Sequence, residues 1–486
     1  MSSLSPIERY LLTPLEQIAA DSSSTPWDAV VVGGGTAGLS AARTLVEHGR
    51  RVSVLEGGAL ALLTHASTTD LRFDSAGLTR FRQMLEYSPR LAGGGVFGQL
   101  IACVGGRAMF WNGAAPRFAA PDLAAWPIGL DALGPYYAWA EMEMRVTRDY
   151  GDSGLGQTVI RLLREAGLPA EQGPYAIDTH PTHDGWIGGT LGNPVAALLR
   201  TGLLTSAPPA LRIAGRAFVT RVLVGRDNRA MGVRALSLED GTAHEVRARS
   251  VVLAAGGFES VRLAMASGLP DRSGLMGKQL VDHLFARAYY DVPVALYEPH
   301  LPEAAIVVVP SDADRQHQLE LHMPSDNLFV QSEYSHWQPA ADRFYAAMVR
   351  SFAPVEPRDD NYLELGATDA PGDYTVHMSY SPNDLERLER MVQGLESVRR
   401  ALGGQPADAQ RFGPGASHHE AGGLRMGADP ATSVTDPFGR VHAVPNVVAA
   451  DASTWPTTSA ANPCLTITAL ARRQAEQLSR DLDALP

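Results

Sequence analysis

Two β-branched runs held apart by a glycine-rich turn constrain this chain more than any other stretch. The first is Asp28-Ala-Val-Val-Val-Gly-Gly-Gly-Thr-Ala-Gly38 and the second is Val52-Ser-Val-Leu-Glu56. Ala29 to Val32 reads as a buried strand. Ala37 to His48 has helical spacing, with Gly49 at the C-cap position, and Val52 to Leu55 reads as the next strand. A strand, a helix and a strand within about 30 residues make a βαβ unit. Such a unit commits the chain to a parallel sheet covered by helices.

Gly33, Gly35 and Gly38 fall in the spacing G-x-G-x-x-G. The first glycine permits the tight turn out of the strand, the second lets a pyrophosphate approach the backbone, and the third lets helix pack on strand. The first helical turn, which carries Thr36 and Ala37, favours phosphate charge. Glu56 ends the second strand, where an acid bonds a ribose hydroxyl and disfavours a 2′-phosphate. A dinucleotide is therefore expected, and NADP is not. FAD and NAD share this fingerprint. Two features favour FAD: the motif opens the folded part of the chain while a C-terminal helix returns to it, and Val251-Val-Leu-Ala-Ala-Gly-Gly257 resembles the second nucleotide-contacting strand of FAD-binding folds.

Elsewhere the pattern is mixed. Residues 1–26 read as a helix from Pro6 to Ala20 and a Ser/Pro linker from Asp21 to Pro26. The glycine- and aromatic-rich stretch from Gly93 to Arg117 suits backbone wrapped around a flat ligand. Leu133 to Arg145 reads as an amphipathic helix, and residues 150–200 read as irregular. Phe218 to Val224 and Met231 to Leu238 alternate about a turn at 226–229, and Val246 to Ala255 reads as one further strand. Ala304 to Val309 and Asp373 to Ser379 fit a second, antiparallel sheet. Asp384 to Leu402 is helical, Asn446 to Ala450 a strand, and Pro463 to Leu482 a helix.

At 486 residues the chain can bury the core of two or more structural units. A net charge of −12 argues against nucleic acid as a partner and gives no reason to expect anionic membranes. Cys103 and Cys464 sit in no CxxC or Cys/His cluster, so neither a metal site nor a disulfide is expected. The segment Met1 to Arg9 lacks a basic start with an apolar run behind it, and no apolar stretch reaches the roughly 18 residues of a membrane span. A cytoplasmic location is the expectation.

These motifs, with Gly105-Gly-Arg-Ala-Met-Phe-Trp-Asn112, Gly277-Lys-Gln-Leu-Val-Asp-His283 and the tail from His418 to Arg473, resemble the glucose–methanol–choline (GMC) oxidoreductases over nearly the whole chain. The resemblance implies an α/β plus α+β protein, in which an FAD-binding Rossmann-like domain is joined to a substrate domain on an antiparallel sheet. It assigns residues 27–62, 91–130, 210–285 and 415–486 to the FAD domain, and 63–90, 131–209 and 286–414 to the substrate side. It extends the expected FAD contacts to Gly57, Gly105, Arg107, Ala108, Asn112, Gly113, Ala114, Val219, Ala255, Gly256, Asp451, Ala452, Asn462, Pro463 and Thr466. The family histidine falls on His419 of His418-His-Glu-Ala-Gly-Gly-Leu-Arg-Met-Gly427, with His418 as the neighbouring candidate, and the second catalytic position falls on Asn462.

Trp111-Asn-Gly-Ala-Ala-Pro-Arg117 resembles the sugar-oxidising branch that includes the pyranose oxidases. Some of these carry a histidine before the tryptophan that bonds the flavin covalently. Phe110 stands there, which implies non-covalent FAD. The implied reaction oxidises a CH–OH group of a sugar, glycoside or polyol: His419 takes the hydroxyl proton, flavin N5 the hydride. The acceptor that reoxidises the flavin is open. A non-sugar alcohol substrate and an FAD-containing hydroxynitrile lyase are the alternatives. Plainer readings stand beside these. Asn462 also suits a helix cap ahead of Pro463. Asp282 and His283 read as structural, and His322 and His377 as strand residues with a weak claim on the substrate pocket.

Overall fold

Ala29–Val32 is buried along its length and pairs in parallel with Val52–Leu55 on one side and Val251–Leu253 on the other. In this computed structural model, which describes residues 5–181, 187–204, 210–293, 305–323 and 344–484, the sheet runs in the order Leu211–Ala214, Val52–Leu55, Ala29–Val32, Val251–Leu253, Val444–Ala449, Arg440–Val441. Only the last pair is antiparallel. Strands covered on both faces need apolar residues at every position, which is why these runs are rich in valine. On one face Leu39, Ala42 and Leu45 of the Thr36–Glu47 helix and Ala471, Ala475 and Leu478 of the Cys464–Asp483 helix join Val31, Val54 and Val252 in one core. The C-terminal helix thus returns to the first βαβ unit, where Arg472 pairs with Glu47 at 3.1 Å. The opposite face packs on an antiparallel meander of Ala217–Val224, Ala230–Ser237 and Ala243–Arg247.

A second six-stranded sheet is antiparallel throughout, in the order Gln410–Arg411, His283–Pro293, Phe344–Pro354, Gln318–Met323, Ala305–Val309, Glu171–Gln172. Its two faces differ because strand side chains alternate. Leu284, Ala286, Leu319, Leu321 and Val349 bury against the helices Gly154–Glu165 and Pro382–Ala401. The other face carries Phe285, Arg287, Gln318, Glu320, His322, Arg350 and Phe352. Register sets Arg287 and Glu320 beside Arg350, and Phe285 beside Phe352.

Five sequence expectations change. The N-terminal helix is two, Pro6–Leu11 and Leu15–Ser24, because Pro14 cannot continue a helix. Asp21–Ser24 is the end of the second helix and not a linker: Ser22 Oγ donates to the Ala19 carbonyl at 2.7 Å and Trp27 Nε1 to that of Ile18 at 3.2 Å. Residues 150–200 are not irregular. They include the Gly154–Glu165 helix, capped by Ser153, whose Leu155, Val159 and Leu163 form a buried stripe that Gly154 and Gly156 hide from a propensity reading. The run 246–255 is split, since Ala243–Arg247 belongs to the meander and Val251–Leu253 to the parallel sheet. Finally, Tyr374–His377 lies in a separate sheet with Tyr362–Leu365 and Arg90–Leu91, while Ala305–Val309 joins the six-stranded one. Ala304 is outside the described residues.

Candidate active site

A cavity of about 870 Å³ opens between the carboxyl ends of the parallel strands and the polar face of the antiparallel sheet. At its dinucleotide end the three motif glycines do different work. Gly33 has φ +100°, and a Cβ there would lie 2.4 Å from the Ala254 carbonyl oxygen. A Cβ on Gly38 would lie 1.9 Å from the carbonyl oxygen of Gly33, so helix and strand touch through that glycine. A Cβ on Gly35 would meet nothing within 4 Å, and the space it would enter is the cavity at the start of the Thr36–Glu47 helix. That is room for a pyrophosphate against helix N–H groups.

Glu56 is buried at this end. Its Oε2 accepts from the Gly34 N–H at 2.7 Å and its Oε1 from that of Gly58 at 2.8 Å, so the loop fixes the carboxylate and each oxygen keeps a lone pair for a ribose hydroxyl. Burial raises its pKa against those two bonds. Thr36, Ala37, Gly57, Val219, Ala255 and Gly256 share the wall. Asp451 does so too, but its oxygens are occupied by the Gly256 N–H at 3.0 Å, Ser260 Oγ at 2.6 Å and the Ser453 N–H at 3.0 Å. It shapes the wall. Along the middle lie Arg107, Ala108, Phe110, Asn112, Ala114, Ala452 and Pro463, with Arg107 held by Glu420 and by the His418 carbonyl at 2.9 Å. These surfaces suit a flat, anionic dinucleotide such as FAD.

Four expected contacts do not reach the cavity wall. Gly38 packs as described. Gly105, at φ +101°, donates to the Gly34 carbonyl at 2.8 Å and ties its turn to the glycine loop. Gly113 sits against Leu191, and Thr466 Oγ1 bonds Tyr137 Oη at 2.8 Å inside the core.

At the far end His419 and Asn462 lie on one wall. His419 Nδ1 is 2.8 Å from His283 Nδ1, so Nε2 is the ring nitrogen left for a substrate. Asp282 organises the loop that carries it, accepting from Gly415 N–H at 2.9 Å, Ser417 Oγ and His419 N–H at 3.3 Å. His418 has φ +60° and its carbonyl holds Arg107, which turns the chain and presents the next side chain. Asp282 and His283 are therefore structural only in part. Asp282 shapes the loop, and His283, the first residue of its strand, touches the candidate base. The buried imidazoles are neutral: burial, then the neighbouring His283 and Arg107, hold His419 well below the ordinary histidine range, and burial brings His283 down to about 3.

Asn462 does not cap a helix. Pro463 intervenes before Cys464, no side-chain cap forms, and Asn462 Oδ1 accepts from Gln318 Nε2 at 3.1 Å. Gln318 also donates to Glu320 Oε1 at 3.1 Å. Burial alone would raise the pKa of Glu320, but bonds to His322 and the charge of Arg350 hold it low. His322 joins this cluster, 2.9 Å from Tyr175 Oη and 3.2 Å from Arg350. His377 stacks on Tyr362 and pairs with Glu364, and is not part of the wall. Sequence reasoning read His283 as structural and missed Gln318, Glu320 and Arg350. The one available signal was the period-two alternation of Gln318-Leu-Glu-Leu-His322, which marks a strand with one polar face.

The buried histidines predict a pH dependence of stability. Burial lowers His65 and His418 to about 4 and His283 to about 3, from 6.5. Between those values the unfolded chain binds protons that the folded one refuses, so their contribution is complete above pH 6.5 and falls as pH drops toward 4. His317, lowered to about 4, and His419 act in the same sense. Asp282, raised to about 6 by burial, works in the opposite sense between 3.8 and 6, as do Glu56, Asp122, Asp291 and Asp451, also raised by burial, but the histidine loss begins higher, at 6.5. Thermal melts should show Tm falling steadily from pH 7 to pH 5, and a level Tm would count against buried neutral imidazoles.

Cys103 and Cys464 are free thiols, both pushed up to about 12 by burial. Among the described residues no group of three or more His, Cys, Asp or Glu is placed to hold a metal ion, and no helix is long and apolar enough to cross a membrane.

Comparison with known proteins gives a consistent picture. Two family models described as GMC oxidoreductase match residues 123–285 and 357–471, together more than half of the chain, and an NAD(P)-binding Rossmann-like model matches 31–81. The chain is 27% identical to paromamine 6′-oxidase of Streptomyces fradiae, over 94% of this chain and 92% of that protein. It is 27% identical to C-glycoside 3-oxidase of Microbacterium trichothecenolyticum, over 78% and 76%. The solved structure of Aspergillus oryzae RIB40 formate oxidase, described for the effect of a mutation on FAD modification, superposes with a TM-score of 0.68 at 15% identity, covering 94% of this chain and 99% of that one.

Proposed function

This chain belongs to the GMC oxidoreductase family and is an FAD-dependent alcohol oxidoreductase, and from that premise we propose that it oxidises a CH–OH group of a sugar, glycoside or similar polyol. The observation that carries the proposal is the polar wall at the catalytic end. His419 and Asn462 lie on the same cavity as Arg287 and Arg350, with Gln318 and Glu320 behind Asn462, a surface rich in partners for several hydroxyl groups. The oxidases of paromamine and C-glycosides among the relatives support it.

In this reading residues 27–62, 91–130, 210–285 and 415–486 hold FAD, and 63–90, 131–209 and 286–414 shape the substrate side. FAD, when bound, supplies the hydride acceptor. Gly33, Gly35 and the first turn of the Thr36–Glu47 helix take its pyrophosphate and Glu56 its ribose. His419 Nε2 accepts the substrate's hydroxyl proton, and His283 fixes the ring through Nδ1. Asn462 donates to the substrate oxygen while Gln318 holds its amide oxygen, which orients the amide group. Phe110 lines the cavity at the position of the covalent histidine in some relatives of the sugar-oxidising branch, which supports non-covalent FAD.

The test is anaerobic. Purified yellow protein is mixed with a panel of sugars, glycosides and simple alcohols, and the visible flavin band is followed. Bleaching by at least one sugar or glycoside is expected, and acid precipitation should release the flavin into the supernatant. Bleaching by non-sugar alcohols alone would move the substrate class, and turnover of a cyanohydrin without bleaching would make the protein a lyase.

A further inference from the structure

The arginines that line the cavity at His419 are matched by carboxylates, with one exception. Arg82 pairs with Glu86 at 2.7 Å, Arg107 bonds Glu420 at 2.9 Å, Arg262 pairs with Glu259 at 2.6 Å and Arg350 with Glu320 at 3.4 Å. Arg287 lines the same cavity and has no carboxylate partner among the described residues. Its Nη2 donates to Gln410 Oε1 at 3.1 Å, its guanidinium lies 5.0 and 5.2 Å from the ring centroids of Tyr289 and Phe412, and its Nε is buried without a hydrogen bond. Register sharpens the imbalance. Arg287 stands directly opposite Arg350, and Arg350 directly opposite Glu320. Two guanidinium groups therefore share one carboxylate, although like charges placed opposite one another repel. A charged donor left buried without a bond is costly. A carboxylate ligand relieves both costs, because a guanidinium presents parallel N–H donors to its two oxygens.

The place of Arg287 suits the far end of a substrate whose alcohol sits at His419. His283, Phe285 and Arg287 alternate along one face of the His283–Pro293 strand. His283 touches His419, Phe285 stacks on Phe352 at 5.0 Å, and Phe352 lies 5.4 Å from the His419 ring. Phe285, Phe352, Arg287 and His419 all line one cavity, so the path from base to guanidinium runs over these two rings without leaving it. A strand rises about 3.3 Å per residue, which sets Arg287 roughly 13 Å along from His283. Two linked rings span that distance.

We infer that Arg287 binds a carboxylate carried on the non-reacting part of the substrate, so that the preferred substrates are acidic glycosides of two rings. The inference rests on the sugar reading and narrows its substrate class. The reacting ring sits at His419 and Asn462, the second ring lies against Phe285 and Phe352, and its carboxylate meets Arg287. Arg287 determines specificity and takes no part in the transfer of proton or hydride.

The experiment compares pairs of glycosides that differ in charge, by kcat/KM with a dye acceptor. Cellobiouronic acid carries the carboxylate on its glycosyl ring, with cellobiose as the neutral counterpart. The 4-carboxyphenyl β-glucoside carries it on the aglycone, with the 4-carboxamide as the counterpart. At least one acid should be preferred to its counterpart, and the pair that shows the preference tells which ring reacts. Arg287→Gln, which removes the charge and keeps a polar side chain beside Gln410, should lower that acid-to-neutral ratio by roughly 10–100-fold, the range of a charge-assisted hydrogen bond. A structural loss alone would lower both members of a pair and leave the ratio in place. If Arg287→Gln fails to fold, the native enzyme still decides: benzoate should compete with substrate at lower concentration than benzamide. Neutral glycosides oxidised as well as their acids, a ratio unmoved by Arg287→Gln, or equal inhibition by benzoate and benzamide overturns the role of Arg287 and leaves the sugar reading standing. Flavin that no glycoside, acidic or neutral, reduces overturns both.

Discussion

A His419→Ala enzyme should reduce its flavin with substrate roughly 10²–10⁴-fold more slowly than the native protein, the usual size of base catalysis, while still binding FAD. The structure makes this a test of chemistry more than of folding. The loop that carries His419 is held through its backbone and through Ser417, by Asp282, so removing the imidazole leaves those bonds in place. What is lost is the 2.8 Å bond to His283 and the ring contact with Phe352. Both rings are neutral, so His283 is not left as an uncompensated buried charge. The neutral state also matters for the reaction, because a base must be unprotonated when the substrate arrives. With its pKa held well below 6.5 by burial, His419 is ready across the neutral range. Stopped-flow measurement of the reductive half-reaction decides the matter. Reduction at the native rate would remove His419 from the role of base and direct attention to its neighbours on the wall.

How far such a site is legible in sequence depends on how local its constraints are. The glycine turn is local. Gly33, Gly35, Gly38 and Glu56 fall within one βαβ unit; backbone geometry requires Gly33 and Gly38, short hydrogen bonds fix Glu56, Gly35 opens onto the cavity, and the chain folds there as the pattern dictates. The tail is legible for a similar reason, since loop and helix carry their residues at fixed spacing. What pattern could not supply is the set of partners brought in from afar. His283 is 136 residues from His419, and Gln318 is 144 from Asn462. Local statistics favour asparagine as a cap before proline. Here a tertiary hydrogen bond wins, and the amide serves the antiparallel sheet instead of the helix. The same competition explains the N-terminal segment: a Ser/Pro run has the composition of a linker, but Trp27 and Ile18, both buried in the core, draw it into a packed helix.

The second large effect separates cofactor binding from folding. Gly35→Val should give a folded protein that has lost FAD, with affinity reduced by at least roughly 100-fold, equivalent to about 2.7 kcal/mol. The motif glycines are not interchangeable in this respect. At Gly33 and Gly38 an added carbon meets backbone at 2.4 and 1.9 Å, so substitution there strikes the junction of strand and helix and the fold suffers first. Gly35 has φ −77°, a conformation open to any residue, and nothing stands within 4 Å of its missing carbon. As the residue preceding the helix it loses little in the change, about 1 kcal/mol for a poor cap. What the branched side chain does occupy is the approach to the first-turn N–H groups, where the pyrophosphate must come close. The purified variant should therefore be colourless, melt within a few degrees of the native apoprotein, and fail to take up added FAD in a fluorescence-quenching titration. A yellow Gly35→Val protein would place the pyrophosphate elsewhere in the cavity. A colourless one that also melts early would mean that Gly35, like Gly33 and Gly38, is needed for packing. Only a stable and colourless protein shows that this glycine is kept open for the cofactor alone.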